Sequence, residues 1–448
     1  NHNNETLKKL IQKISFNEVI IMGSIGCKIA SIIRGESDLY ICLSLPEKSS
    51  PKDWDFAAPE AILKASGGAI TNIENEELAI LRDSVRNFLT TNAPVDQLRR
   101  IRDENNPDNF CRKTWQSMAD LGLLGVLIPE EFNGANMGYT AAGLISEEMG
   151  RTLTASPFLS TAIIGASAIN LFGSKNQKDN FLKKISEGKS IFSLAIDESL
   201  KHSPNLVSTK AERWNNGFKI SGSKKFVIDG SVADYFICSA RTSGDDNSTE
   251  GITLFIIPSD LKGISINKSN SIDSRNTSNI TFDNVEINSD SILLEIDKGF
   301  TALEKILDIG RACIASEMMG ISEECLNQTK NYIVERKQFG VSVGSFQGLQ
   351  HRVSHLFSEI EITKSLVNKT LRLLDTKDED TPLMVAAAKS KSGEICQLAS
   401  QEAIQMHGGV GMTDEYDIGF FLKRSRVADA FLGNSKFHIN QFAVLRGY

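Results

Sequence analysis

The chain has 448 residues, 41% of them hydrophobic and 23% charged, and a formal net charge of −7. These are the proportions of a globular protein long enough for two or more domains, and the mild negative charge gives no basic footprint for nucleic acid or an anionic membrane. Seven scattered cysteines show no Cys/His spacing of a zinc site, so no metal centre is expected, and their sparse odd number fits a reducing cytoplasmic setting. No apolar run approaches the ~18 residues of a membrane span.

In chain order, residues 18–45 read as strand, Gly-Ser turn, helix and strand. They are followed by Trp54-Asp55-Phe56-Ala57-Ala58 and a helix that ends at Gly67-Gly68. The succession GSxxxK, GxxDxY, WDxAA and GG resembles the C-terminal half of the inositol monophosphatase and bisphosphate nucleotidase family, in which Asp55 would stand at a metal-ligand position. A Mg²⁺ site needs several oxygen ligands, and the family's DPxDGT-type acidic motif is absent from the chain. An isolated Asp before a helix, as Asp55 is, is more often an N-cap than a metal ligand. Residues 1–75 are therefore expected to be a truncated phosphatase-like fragment without activity, from a fusion or a misjoined gene.

Residues 76–190 are helical by pattern. Leu81, Val85, Phe88 and Leu89 form one apolar stripe, a second helix covers 111–121, and others are expected near 139–148, 161–171 and 177–185. Residues 191–292 change to short β-rich runs at 191–196, 218–221, 235–240, 253–257 and 279–282, separated by Gly/Asn/Asp/Ser turns. That implies a small β-barrel or sandwich. Residues 293–448 return to helix, with long periodic runs at 301–338, 348–374 and 382–407. The predicted class is α+β, mainly helical: an N-terminal helical domain, a middle β domain and a C-terminal four-helix bundle behind the short α/β fragment.

Two stretches carry chemistry. In NYIVERKQFG, residues 331–340, the first long run ends with Arg336 and Lys337 in its last turn and Gly340 as its stop. Arg336 can hold a phosphate bidentately or simply complement a helix C-terminus. In QMHGGVG, residues 405–411, two glycines follow a helix. They admit close approach of a ligand to the backbone, or serve only as a turn. Together with Phe346-Gln347 and the LGLLGVLIPEEFNG segment at 121–134, these strings resemble the acyl-CoA dehydrogenase flavoproteins over about 370 residues.

The resemblance implies FAD as cofactor, an acyl-CoA substrate, and a homodimer, homotetramer or heterotetramer with a related subunit. Arg336, Gln338 and Phe339 match residues that hold the FAD pyrophosphate and adenine across a dimer interface, and Gln347, Gln405, Gly408 and Gly409 match further contacts. SGSKKFVIDG at 221–230 aligns with the NGxKxWITNG segment beside the flavin ring. Phe226 replaces its Trp, and Ile228 stands where a Thr hydroxyl meets flavin N5. Asp197 replaces a Thr in the TEPxxGSD stretch, or is only a solvated turn residue.

Dehydrogenation of an acyl thioester needs a carboxylate base over the α-carbon. The family carries it in a YEGT-like tetrapeptide, where this chain has Leu432, or on the long helix just before the Arg that matches the substrate-binding Arg311, where this chain has Gly310. Neither accepts a proton. Glu317 is the remaining candidate base, its other reading being a buried partner of a basic residue. Four functions compete: a flavoprotein subunit without its own base, paired with a catalytic sister chain; an active dehydrogenase with an unrecognised base; a structural subunit without flavin; and a phosphatase, which the missing acidic motifs oppose.

Overall fold

The computed structural model describes residues 73–448; the phosphatase-like fragment and Asp55 lie outside the described residues. Ile80–Tyr448 form one compact unit. It opens with α1 (Ile73–Asn92), α2 (Val95–Asp103), α3 (Arg112–Asp120) and α4 (Gly138–Arg151). The expected helix at 161–171 is two pieces. A π-helical stretch, Phe158–Gly165, runs into α5 (Ala166–Phe172), and α6 (Lys175–Ser186) follows with a Ser174/Gln177 capping box.

The middle layer is a single sheet. It contains β1 (Phe192–Ala195), β2 (Lys210–Trp214), β3 (Gly217–Ile228), β4 (Tyr235–Arg241), β5 (Ile252–Pro258), β6 (Ile264–Asn270), β7 (Asn276–Asn288) and β8 (Ile292–Leu293). The order is β6-β7-β3-β2-β4-β5-β8, with β1 parallel to β4. β2 and β6 have no counterpart among the predicted strands. Both lie largely open to solvent, so neither carries the apolar alternation that marks a half-buried strand. Bulges between Ile220 and Gly222 and between Lys224 and Val227 interrupt β3 against β7. The second puts Phe226 at φ 50° and turns its ring outward, half exposed.

The C-terminal layer holds α7 (Gly299–Glu335), α8 (Gln347–Thr376), α9 (Thr381–His407), α10 (Ile418–Ala430) and α11 (Ser435–Leu445). α7 is buried along most of its length, from Gly299 to Ile333, because neighbours surround it. It meets α4 at two glycines: a Cβ on Gly150 would fall 2.1 Å from the Glu317 carbonyl oxygen, and one on Gly320 would fall 1.8 Å from that of Glu147. No other residue type permits that crossing.

One end of α7 differs from expectation. The helix stops at Glu335, so Arg336 and Lys337 are not in its last turn; Arg336 is extended, with ψ 122°. β9 (Lys337–Gln338) and β10 (Val341–Ser342) form a small antiparallel hairpin. Its loop is Phe339 and Gly340, at φ 54° and 79°, the two left-handed residues of a tight hairpin turn. Gly340 is thus the turn of a hairpin rather than the stop of a helix. Among the described residues no helix is long and apolar enough to cross a membrane.

Candidate functional site

The two motif stretches meet at one end of the helical layer. Tyr332, in the last turn of α7, stacks on His407, in the last turn of α9, with ring centroids 4.4 Å apart, and Tyr416 packs edge-on against both. This aromatic cluster brings the Arg336 hairpin beside the Gly408 turn. Arg336, Gln338, Gln347, Gln405, Gly408 and Gly409 are all exposed, and Phe339 is 92% exposed, with Phe346 edge-on to it. Gly408, at φ 67°, and Gly409 have open space where a Cβ would stand. A cation, amides, a projecting ring and bare backbone on one surface suit the phosphates and adenine of a dinucleotide.

A second constellation lies about 39 Å back along α7, from the helical rise over the 26 residues between Gly310 and Arg336. Here α7, the β3 end and the α10–α11 loop converge. A Cβ on Gly310 would fall 2.9 Å from Leu432 Cδ1 and 3.1 Å from Ile164 Cδ1, so positions 310 and 432, distant in sequence, are neighbours. Leu432 is buried in an apolar cluster with Ile164, Leu303, Ile306 and Leu307. Lys389, fully buried on α9, donates to the carbonyls of Asp429 and Gly433 at 2.8 and 2.9 Å and so fixes the loop that presents Leu432. Burial lowers the Lys389 ammonium to about 7, against the pull of the Asp429 carboxylate.

Arg311 points inward. Its Nε donates to the Leu432 carbonyl at 3.1 Å, Nη1 reaches Asp308 at 3.2 Å, and Nη2 lies 3.2 Å from His202 Nε2. Burial raises the Asp308 carboxyl to about 6, with Arg311 opposing the rise. His202 Nδ1 is 2.9 Å from the Asp197 carboxylate. These partners assign the proton to Nδ1 and leave Nε2 to accept from Arg311. Asp197 is therefore tied into a buried Asp–His–Arg chain. The sequence gives no sign of His202, which lies in an irregular loop and is recruited only by the fold.

Glu317 is 6% exposed and accepts two hydrogen bonds from Arg424, Nε to Oε1 at 2.8 Å and Nη2 to Oε2 at 2.9 Å. Arg275 Nη2 lies 3.2 Å from Oε1, and Arg424 Nη1 continues to Asp273 at 2.9 Å. Burial alone would raise the Glu317 carboxyl, but the two guanidiniums outweigh it and hold it below the ordinary carboxylate range. A base that must take a proton near neutrality is tuned the other way. Asp229, just after Ile228, is so tuned: it is buried, and burial raises its carboxyl to about 7 although Ser160 donates to it at 2.6 Å and Arg275 and Arg424 lie near. In the sequence Asp229-Gly230 reads as a turn, which hides its burial.

Solved structures set the fold class. Glutaryl-coenzyme A dehydrogenase in complex with glutaryl-CoA matches with a TM-score of 0.76 at 26% identity, over 84% of this chain and 96% of that one. A variant of the Tcur3481–Tcur3483 steroid ACAD matches with a TM-score of 0.75 at 26% identity, over 83% and 98%. The chain is similar to the mitochondrial short/branched chain specific acyl-CoA dehydrogenase of Bos taurus, 27% identical over 90% of this chain and 94% of that protein. It is also similar to the cyclohex-1-ene-1-carbonyl-CoA dehydrogenase of Syntrophus aciditrophicus, 28% identical over 81% and 87%.

Residues 75–189, 201–285 and 297–444 match in order the N-terminal, middle and C-terminal domains of acyl-CoA dehydrogenase, and the chain belongs to that family. Residues 1–105 match the inositol monophosphatase family. Acyl-CoA dehydrogenases are FAD-dependent flavoproteins that act on acyl-CoA thioesters. The open glycines and exposed Arg336 hairpin fit the dinucleotide part of that cofactor.

Proposed function

We propose that this chain is an FAD-holding subunit of an acyl-CoA dehydrogenase that lacks its own catalytic carboxylate and works with a related sister subunit. The observation that carries this reading is the pairing of Gly310 with buried Leu432: where the family puts a proton acceptor, this chain has two groups that cannot ionise. FAD supplies the two-electron acceptor for α,β-dehydrogenation of the thioester. In this reading the protein's side chains bind and orient. Arg336, Gln338, Phe339, Gln347, Gln405, Gly408 and Gly409 hold the dinucleotide, and Phe226 and Ile228 face the flavin ring. Arg311 fixes the loop around Leu432.

The spacing supports assembly. Arg336, just past the end of α7, is about 39 Å from Gly310 along the helix axis, and that separation favours a cofactor site whose two ends come from different chains. Similar proteins whose names join two components are the Tcur3481–Tcur3483 steroid ACAD and, as a subunit of the caffeyl-CoA reductase–Etf complex of Acetobacterium woodii, CarC, which is 27% identical. The test is the visible spectrum of the purified chain before and after anaerobic addition of a panel of acyl-CoAs. The flavin band is expected to stay oxidised in the chain alone and to bleach with the sister subunit present. Bleaching in the chain alone overturns the proposal in favour of an unrecognised base.

A further inference from the structure

A small cavity opens where β3 ends against the α10–α11 loop. One wall is apolar, made by Ile228, Leu159 and Phe431, the residue before Leu432. The other wall is polar and incompletely bonded. Arg275 Nε, Asn109 Oδ1 and Ser156 Oγ all belong to residues of this wall, and all three atoms are buried without a hydrogen-bond partner; Arg275 Nη2 is taken up by the Glu317 carboxylate at 3.2 Å. Buried polar atoms are nearly always satisfied, so several unsatisfied ones around one void mark a place built for a further polar group. With Nη2 on Glu317, Nε–H is the charged donor of Arg275 left over for a further oxygen.

The size and charge narrow the guest. The cavity holds about 20 Å³, room for one oxygen-sized group. Asp229 and Asp273 stand in the same wall as Arg275 and Arg424, and Asp273 is already bonded to Arg424. An entering carboxylate would therefore meet carboxylates as well as guanidiniums. A neutral oxygen that both accepts and donates fits: it accepts from Arg275 and Ser156 and, as a hydroxyl, donates to Asn109 Oδ1.

We propose that this cavity receives a hydroxyl oxygen carried by the acyl group, so that the ligand of this subunit is an oxygenated acyl-CoA rather than a plain hydrocarbon one. The inference rests on the reading that Ile228 faces the flavin ring and that the Phe431–Leu432 loop flanks the acyl position beside it. It deepens that reading by naming a polar feature of the ligand.

The test is calorimetric titration of the FAD-loaded full-length chain with straight-chain and ring-bearing acyl-CoAs, each paired with counterparts carrying a hydroxyl group at successive positions of the acyl chain. Heat reports binding whether or not the flavin is reduced. At the best-fitting length the oxygenated member is expected to bind about ten-fold tighter, the discrimination of one buried hydrogen bond to a charged donor. Ser156→Ala and Asn109→Ser, both small enough to leave the fold intact by circular dichroism, are expected to narrow that ratio. Equal affinities within every pair would mean an ordered water only, and overturn the inference while leaving acyl binding in place. No binding by any acyl-CoA would instead overturn the acyl-position reading and the inference with it.

Discussion

Leu432 Cδ1 lies 2.9 Å from the point where a Cβ on Gly310 would fall. The glycine is required by the leucine above it, and the leucine fills the space a longer residue at 310 would need. Positions 310 and 432, matched in the proposed function to the family's base, therefore behave as one packing unit here. Restoring chemistry at either one requires changing both.

The first prediction concerns that unit. Gly310→Ala forces Leu432 out of place and is expected to lose about 1–3 kcal/mol of stability. Leu432→Ala opens a cavity and is expected to lose about 2–5 kcal/mol. The double variant should lose less than the sum, because the alanine at 310 enters the space the leucine vacated. Urea denaturation of the four proteins measures the coupling, and strict additivity would contradict the contact.

Glu317 is expected to matter for folding and not for proton transfer. Glu317→Gln leaves Arg424 and Arg275 without their shared counter-charge and should lose about 3–5 kcal/mol. Because the folded carboxyl is held below its unfolded value of ~4.3, its contribution is fully present above that value. It is lost as pH falls through the lower folded value. Wild-type stability should therefore fall steeply below about pH 4, and the variant's curve should be flatter there.

Asp229 carries the opposite sign. Its folded carboxyl sits at about 7 against ~3.9 unfolded, so the folded state binds the extra proton between those values. Stability from this group is full below ~3.9 and declines as pH rises to about 7. Asp229→Asn removes the titration and keeps a partner for Ser160. Denaturation midpoints between pH 4 and 8 should then decline less with rising pH than in the wild type.

Arg336→Ala tests the exposed hairpin. Arg336 is outside the core, so with both proteins freed of flavin the helical signal should be unchanged and the melting temperature should stay within about 2 °C, in line with surface substitutions of less than ~0.5 kcal/mol. The ratio of bound flavin to protein, read from absorbance, should fall to near zero. Full retention of flavin would remove Arg336 from the cofactor site.

The sequence by itself determined the succession of helical, β and helical blocks. Stripes such as Leu81-Val85-Phe88 and runs such as 382–407 follow from local periodicity, and the strings ERKQFG and QMHGGVG are local too. It also determined that residues 310 and 432 carry no base, since side-chain identity needs no fold. Where local signal was missing, the reading fell short. β2 and β6 are too exposed to alternate, and the end of α7 was set by the Phe339-Gly340 hairpin turn rather than by a helix stop.

Only the tertiary structure decided which distant residues share a site. It joined Gly310 to Leu432, stacked Tyr332 on His407, tied Asp197 to Arg311 through His202, and turned Glu317 toward Arg424. Burial, which sets the opposite pulls on Glu317 and Asp229, is a property of the packed chain, and it raises or lowers a carboxyl according to which charges the fold places beside it. No pattern of neighbours along the sequence encodes that.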